Sequence, residues 1–143
     1  KLLNNRSLPI NDEGRSTKLS TISHYKFCLS LENSIERDYV TEKFFDPLLV
    51  GTVPVYRGAP NIEEFAPGEK CFIDANKFSS VEELADYVRF LDTDHDAYCE
   101  FFAWRKKPLL PSFQKDLDVV HGGNFEKLVR FVSEKMNAPM PDR

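Results

Sequence analysis

Residues 25–43 read Y-K-F-C-L-S-L-E-N-S-I-E-R-D-Y-V-T-E-K, an apolar run that stops abruptly and gives way to side chains able to grip a polar ligand. Residues 27–31 suit a buried strand, and Glu32, Asn33, Ser34, Tyr39, Glu42 and Lys43 all fall just beyond its carboxyl end. In open α/β sheets, ligands bind at that edge. A helix is expected to follow, and its first turn would offer unpaired backbone N–H groups and a partial positive charge to a phosphate. Lys43 would add a full charge. Glu42 only accepts hydrogen bonds when ionised, which suits it to neutral vicinal hydroxyls such as a ribose diol. Together these groups describe a sugar nucleotide. The same spacing also fits ordinary solvated helix residues at Glu42 and Lys43, with Asn33 as a turn former.

The elements that must hold these groups alternate between strand and helix. Helix signals run over 38–50 and stop at Gly51, with Pro47 expected to kink the helix near Lys43 because it cannot donate to that residue's carbonyl. Residues 52–56 read as a second buried strand and 57–60 as the loop at its carboxyl end. Strands joined by a helix are parallel, so both carboxyl ends should share one edge. Arg57 would then offer a forked donor for phosphate and Gly58 a close backbone approach, or the pair is a glycine turn beside a solvated arginine. Further along, 72–73 is a short strand, and Ser80 to Glu83 forms a capping box. That box opens a helix whose Val81, Leu84, Ala85, Val88 and Leu91 keep helical spacing. Amphipathic helices are expected over 97–106 and 124–136, the latter with Phe125, Leu128, Val129, Val132 and Met136 on one face. The alternation indicates an α/β fold with a Rossmann-like parallel sheet flanked by helices.

Composition narrows the choice of partner. With 143 residues, 41% of them hydrophobic and twelve phenylalanines, the chain can bury one core. Residues 1–20, polar and broken by Pro9 and Gly14, read as a linker, 21–137 as the domain and 138–143 as a tail. The formal net charge of −4 argues against a general nucleic-acid or membrane-surface binder, so any nucleotide site must be locally basic. No apolar run approaches the roughly 18 to 20 residues that span a bilayer, and the amino end carries no signal-peptide pattern.

Other motifs carry less chemistry. Cys28, Cys71 and Cys99 are too few and too scattered for a disulfide framework or zinc site and read as packing residues, and nothing in the spacing to His24, His95 or His121 favours a Cys-His pair. Asp92, Asp94 and Asp96 contain D-x-D twice, but they lie between two expected helices, where aspartate caps and turns. An EF-hand fails because Ala97 and Ala103 occupy its glycine and glutamate positions. His121-Gly122-Gly123-Asn124 reads as a helix stop and cap, since the chain has no G-x-S-x-G elbow.

The run E-N-S-I-E-R-D-Y-V-T-E-K-F-F, followed by V-G-T-V-P-V-Y-R-G-A-P-N-I-E-E-F-A-P-G, resembles the signature of the α1,3-fucosyltransferases, glycosyltransferase family 10. The resemblance extends from Tyr25 to about Trp104. It implies one half, the donor-binding second domain, of a two-domain (GT-B type) enzyme, with terminal helices that pack on the partner domain. It also implies that Asn33, Tyr39, Glu42 and Lys43 contact the GDP part of GDP-fucose, with Arg57 as a weaker candidate.

The implied reaction is inverting transfer of fucose to a glycan hydroxyl, with an N-glycan as the expected acceptor. The resemblance assigns the catalytic base to the first domain, so no carboxylate of this chain is named as base. The isolated domain is expected to be inactive. No tightly bound metal is expected, although Mg²⁺ or Mn²⁺ can assist by pairing with the nucleotide. The resemblance implies an address on the luminal side of the Golgi membrane if the source is eukaryotic and not bacterial, and the sequon Asn5-Arg6-Ser7 agrees with it. The rival expectations are another nucleotide-sugar transferase half-domain, or a non-catalytic nucleotide-sugar or protein interaction module.

Overall fold

The structure, a computed structural model, describes residues 14–119. Its centre is a parallel sheet in the order β1-β2-β3, formed by β1 (Phe27–Leu31), β2 (Val53–Arg57) and β3 (Ile73–Asp74). Helix α1 (Arg15–Ile22) precedes β1, α2 (Glu42–Val50) links β1 to β2, and α3 (Val81–Thr93), α4 (His95–Cys99) and α5 (Pro111–Val119) follow β3. The expected α/β class, a parallel sheet with flanking helices, is what the chain adopts.

β2 shows why a continuous apolar run reads as a strand. Alternate residues of a strand face opposite sides of its sheet. Val53 and Val55 enter one core with Ile73, Leu91, Tyr98 and Phe101, whereas Tyr56 enters another with Phe44, Leu48, Ile62, Ala66, Cys71 and Trp104. Helices cover both faces, so neither set of side chains reaches water. In the second core Phe44 meets Phe45, Tyr56 and Phe72 edge to face, each at 5.2 Å between ring centroids.

β1 is not the fully buried strand its composition suggests. It lies at the edge of the described sheet, and while Ser30 is buried, Leu29 is 73% and Leu31 50% exposed. Its apolar residues therefore do not all face one of the two cores.

Helix α2 begins four residues later than its periodicity suggests. Asp38 has φ of 65°, a left-handed conformation incompatible with a continuing helix, and Thr41 is the N-cap, its hydroxyl accepting the Lys43 N–H at 3.3 Å. The helix runs through Pro47 and ends at Gly51, whose φ of 75° is the left-handed stop that glycine adopts without strain. The Thr52 N–H then donates to the Pro47 carbonyl at 2.9 Å.

The linker reading of 1–20 fails at its end, because residues 15–22 form α1. This helix has no buried residue, so apolar periodicity could not reveal it. Polar contacts hold it instead. Arg15 donates from Nη2 and Nε to Asp46 Oδ1 at 2.7 and 3.1 Å, and Lys18 Nζ lies 2.9 Å from Oδ2.

Smaller differences follow the same local physics. The third strand is shifted by one residue to Ile73–Asp74, and the helix expected over 97–106 is divided into α4 and a 3-10 segment, Glu100–Lys106. The cap of α3 is as read at Ser80, whose hydroxyl accepts the Glu83 N–H at 3.1 Å. The Glu83 carboxylate reaches instead to the Ser79 hydroxyl and N–H, bonds that hold it below its ordinary pKa. Leu91 is buried and Leu84, Ala85 and Val88 are half-buried, while Val81, in the first turn of α3, is exposed. Among the described residues no helix is long and apolar enough to cross a membrane. The sequon at Asn5, the His121 to Asn124 turn, the helix over 124–136 and the tail lie outside the described residues.

Candidate functional site

The parallel register puts Leu31 opposite Arg57, so β1 and β2 end together and their following loops share one edge. The ladder extends one step further, with the Glu32 N–H donating to the Arg57 carbonyl at 2.9 Å. The chain then leaves β1 through the 32–40 loop and enters α2. Asn33 and Tyr39 are exposed on this loop, and Arg57 is the exposed last residue of β2.

At the start of α2 two adjacent residues diverge. Glu42 is exposed and leans toward α1, 3.8 Å from Lys18 Nζ, whereas Lys43 turns toward the end of β1 and lies 3.5 Å from Glu32 Oε2. Successive helix positions are about 100° apart, so neighbours in sequence do not share a face. All five sequence-predicted residues stand near the carboxyl edge, but Glu42 and Lys43 address different sides of it.

Glu32 is the most constrained of the charged groups there. Its side chain is fully buried, yet it accepts from the Thr41 N–H at 2.8 Å and from the Thr41 hydroxyl at 3.0 and 2.7 Å, besides its contact with Lys43. Buried carboxylates need such partners. Gly58 makes room for this one. A Cβ at Gly58 would lie 2.5 Å from Glu32 Cγ and nearer still to the Tyr56 hydroxyl oxygen. The glycine read as a close approach to ligand is therefore required by Glu32 and Tyr56 themselves. Tyr56 in turn accepts the Ala59 N–H at 3.0 Å, and burial, more than the nearby carboxylates, pushes its hydroxyl above the usual pKa.

Most of the helix start is capped from within the chain. Glu32 takes the Thr41 N–H, the Thr41 hydroxyl takes the Lys43 N–H, and the Thr41 carbonyl takes the Phe44 N–H at 3.1 Å. The expectation of several unpaired N–H groups waiting for phosphate thus changes. The ammonium of Lys43, 30% exposed, remains open to an arriving anion.

The loop is also tied down from the β2 side, through residues that spacing did not single out. Asn61 is buried, its side-chain oxygen accepting the Asp38 N–H at 3.0 Å and its amide donating to Asp38 Oδ1 at 2.8 Å. Arg37 adds an ion pair to Glu64 at 2.9 Å. These bonds hold the left-handed turn at Asp38, a conformation that asparagine and aspartate tolerate better than most residues. A signal for the cap did exist, since Thr before Glu-Lys is a good N-cap sequence. For Asn61 there was none, because its partner is 23 residues away.

The remaining candidates are accounted for by local contacts. Asp94 caps α4 by accepting the Ala97 N–H at 2.9 Å, and Asp92 pairs with Lys26 at 3.1 Å. His95 Nε2 lies 3.4 Å from Cys99 Sγ, but this pair is one turn apart on α4 and not at the sheet edge described above. Cys71 is buried, and desolvation pushes its thiol up to about 12. A groove of about 470 Å³ beside the end of β3 is floored by Ala66, Phe72, Phe78 and Phe101, and its lysines are engaged, Lys77 with Glu63 and Lys70 with Glu100.

A three-stranded parallel sheet flanked by helices, with a lysine and a tethered loop at its carboxyl edge, is a Rossmann-like α/β arrangement. The family model described as "Glycosyltransferase family 10 (fucosyltransferase) C-term" matches residues 5–137, and the chain belongs to that family. It is 47% identical over 94 residues to an alpha-(1,4)-fucosyltransferase of Arabidopsis thaliana, covering 66% of this chain and 23% of that protein. It is 41% identical over 108 residues to GDP-fucose protein O-fucosyltransferase 3 of Xenopus tropicalis, covering 72% of this chain and 23% of that protein. A crystal structure of an alpha1,3-fucosyltransferase with GDP-fucose superposes with a TM-score of 0.62 at 26% identity, over 96% of this chain and 38% of the other. The chain thus spans under a quarter of the length of these curated relatives.

Proposed function

We propose that this chain is the donor-binding part of an inverting fucosyltransferase, holding GDP-fucose through Asn33, Tyr39, Glu42 and Lys43, with Arg57 as a further phosphate contact. The observation that carries the reading is Lys43. It is a partly exposed cation at the carboxyl edge of the sheet, beside the capped start of α2. A diphosphate needs a positive partner, and this ammonium supplies one beside a loop that carries Asn33 and Tyr39. Glu42, exposed on the first turn of α2, suits hydroxyls of the ribose. That relatives with different printed linkages share this portion supports giving it the component common to them, the fucose donor.

In the proposed reaction a hydroxyl of an N-glycan attacks the fucose anomeric carbon. A new C–O bond forms as the bond to the β-phosphate breaks, and the configuration inverts. The acceptor proton goes to a carboxylate base and the electron pair leaves with GDP, whose developing charge Lys43 stabilises. The base is assigned to a part of the protein beyond these 143 residues, since the buried Glu32 and Asp46 are engaged in structural contacts. No tightly held metal is assigned, because Asp92 and Asp94 serve as an ion-pair partner and a helix cap.

Ligand-dependent thermal unfolding tests the donor, since a ligand that binds only the folded state raises its stability. GDP and GDP-fucose are expected to raise Tm, with and without a chelator, and UDP-sugars are not. Equal protection by a UDP-sugar would contradict the donor assignment, and loss of the GDP shift on chelation would contradict the metal-free site.

A further inference from the structure

We infer that Glu32 is a positioning residue, an internal anion at the start of α2 that keeps the Lys43 ammonium directed at the donor diphosphate. The inference rests on the reading that Lys43 meets that diphosphate, and it goes beyond it by naming what holds the lysine in place. A carboxylate with no exposed side-chain surface, at the end of a strand and against the first turn of a helix, sits where an external anion would otherwise be favoured. Glu32 therefore fills that position from within the chain.

Its two sets of contacts differ in a way that matters. Thr41 is held closely, by three contacts between 2.7 and 3.0 Å, whereas Lys43 is held at 3.5 Å. The short contacts keep the carboxylate satisfied when the lysine shifts outward. The long one restrains a flexible side chain while leaving its ammonium room to turn toward a second anion. A free lysine has many rotamers, and ordering it on ligand arrival opposes binding, so a lysine already held at the mouth loses less entropy. Gly58 and Tyr56 complete the arrangement, because only a residue without Cβ at 58 leaves Glu32 its place beside the tyrosine hydroxyl.

Glu32→Gln removes the charge and keeps the shape. Its amide oxygen can still accept from Thr41, but its amide nitrogen repels the ammonium. In the intact protein, calorimetric titration with GDP is expected to show about tenfold weaker binding for Glu32→Gln than for wild type, a difference of about 1.4 kcal/mol. In a Lys43→Ala background the same change is expected to alter affinity less than twofold. This coupling separates positioning from general structural support, which would weaken binding equally in both backgrounds.

Should Glu32→Gln fail to fold, Glu32→Asp serves instead. It keeps the charge but shortens the reach to Lys43, and its loss of affinity is again expected to vanish when Lys43 is absent. Equal losses in both backgrounds, or tighter GDP binding by Glu32→Gln, would overturn the inference while leaving the donor reading intact. If Lys43→Ala alone leaves GDP affinity unchanged, the donor reading falls and this inference falls with it.

Discussion

Glu32 and Asp46 are two carboxylates of the same kind of environment put to different ends. Both side chains are fully buried, both contact helix α2 or belong to it, and both face lysine. Asp46 lies within α2 and binds Arg15 and Lys18 of α1, tying down a helix that buries no residue of its own. Its Oδ1 accepts two hydrogen bonds from Arg15, but its Oδ2, although close to Lys18, has no well-directed hydrogen bond. Glu32 lies at the end of β1 and binds the cap of α2, where both oxygens accept from Thr41. One carboxylate anchors a helix, and the other secures the start of α2 at the carboxyl edge of the sheet. What separates them, at equal burial and charge, is that directed donors reach both oxygens of Glu32 but only one of Asp46.

The largest expected effect breaks the Asp46 side. Arg15→Ala with Lys18→Ala leaves a buried carboxylate without its cations and should destabilise the fold by roughly 3–5 kcal/mol, measured by urea unfolding. GDP affinity of the folded fraction should change less than twofold, because the 3.8 Å contact between Lys18 and Glu42 is long and exposed. A tenfold loss of affinity would mean that the two carboxylates do not divide their roles as described.

A smaller effect sharpens the Glu32 side. In Gly58→Ala the new methyl meets Glu32 Cγ and the Tyr56 hydroxyl, and such overpacking should cost about 1–3 kcal/mol. Here GDP affinity should fall together with stability, since the displaced group is the one beside Lys43. Unchanged GDP binding in a destabilised Gly58→Ala protein would show that the site does not depend on the seating of Glu32.

The same contrast explains what could be read without coordinates. β2, the Gly51 stop and the Ser80 cap were legible because their causes are local: an apolar run, a residue free to adopt positive φ, and a hydroxyl beside an amide. That Asn33, Tyr39, Glu42 and Lys43 follow β1 was legible too, as a change from apolar to polar residues, but not that Glu42 and Lys43 turn to different sides. Helix α1 was not, since a partner 31 residues away holds it and its sequence carries no apolar stripe. The start of α2 was misplaced for a related reason. The turn at Asp38 depends on Asn61, and without that contact residues 38–41 read as an additional helical turn. The exposure of Leu29 and Leu31 follows from β1 lying at the edge of the described sheet, which five apolar-leaning residues do not encode.

The most direct measurement is calorimetric titration of GDP into the wild-type protein and Lys43→Ala. A hydrogen bond to a charged group contributes about 1.5 to 3 kcal/mol, so the folded variant should bind GDP roughly 10- to 150-fold more weakly. Equal GDP affinity in the two proteins would contradict the assignment of this edge as the donor site.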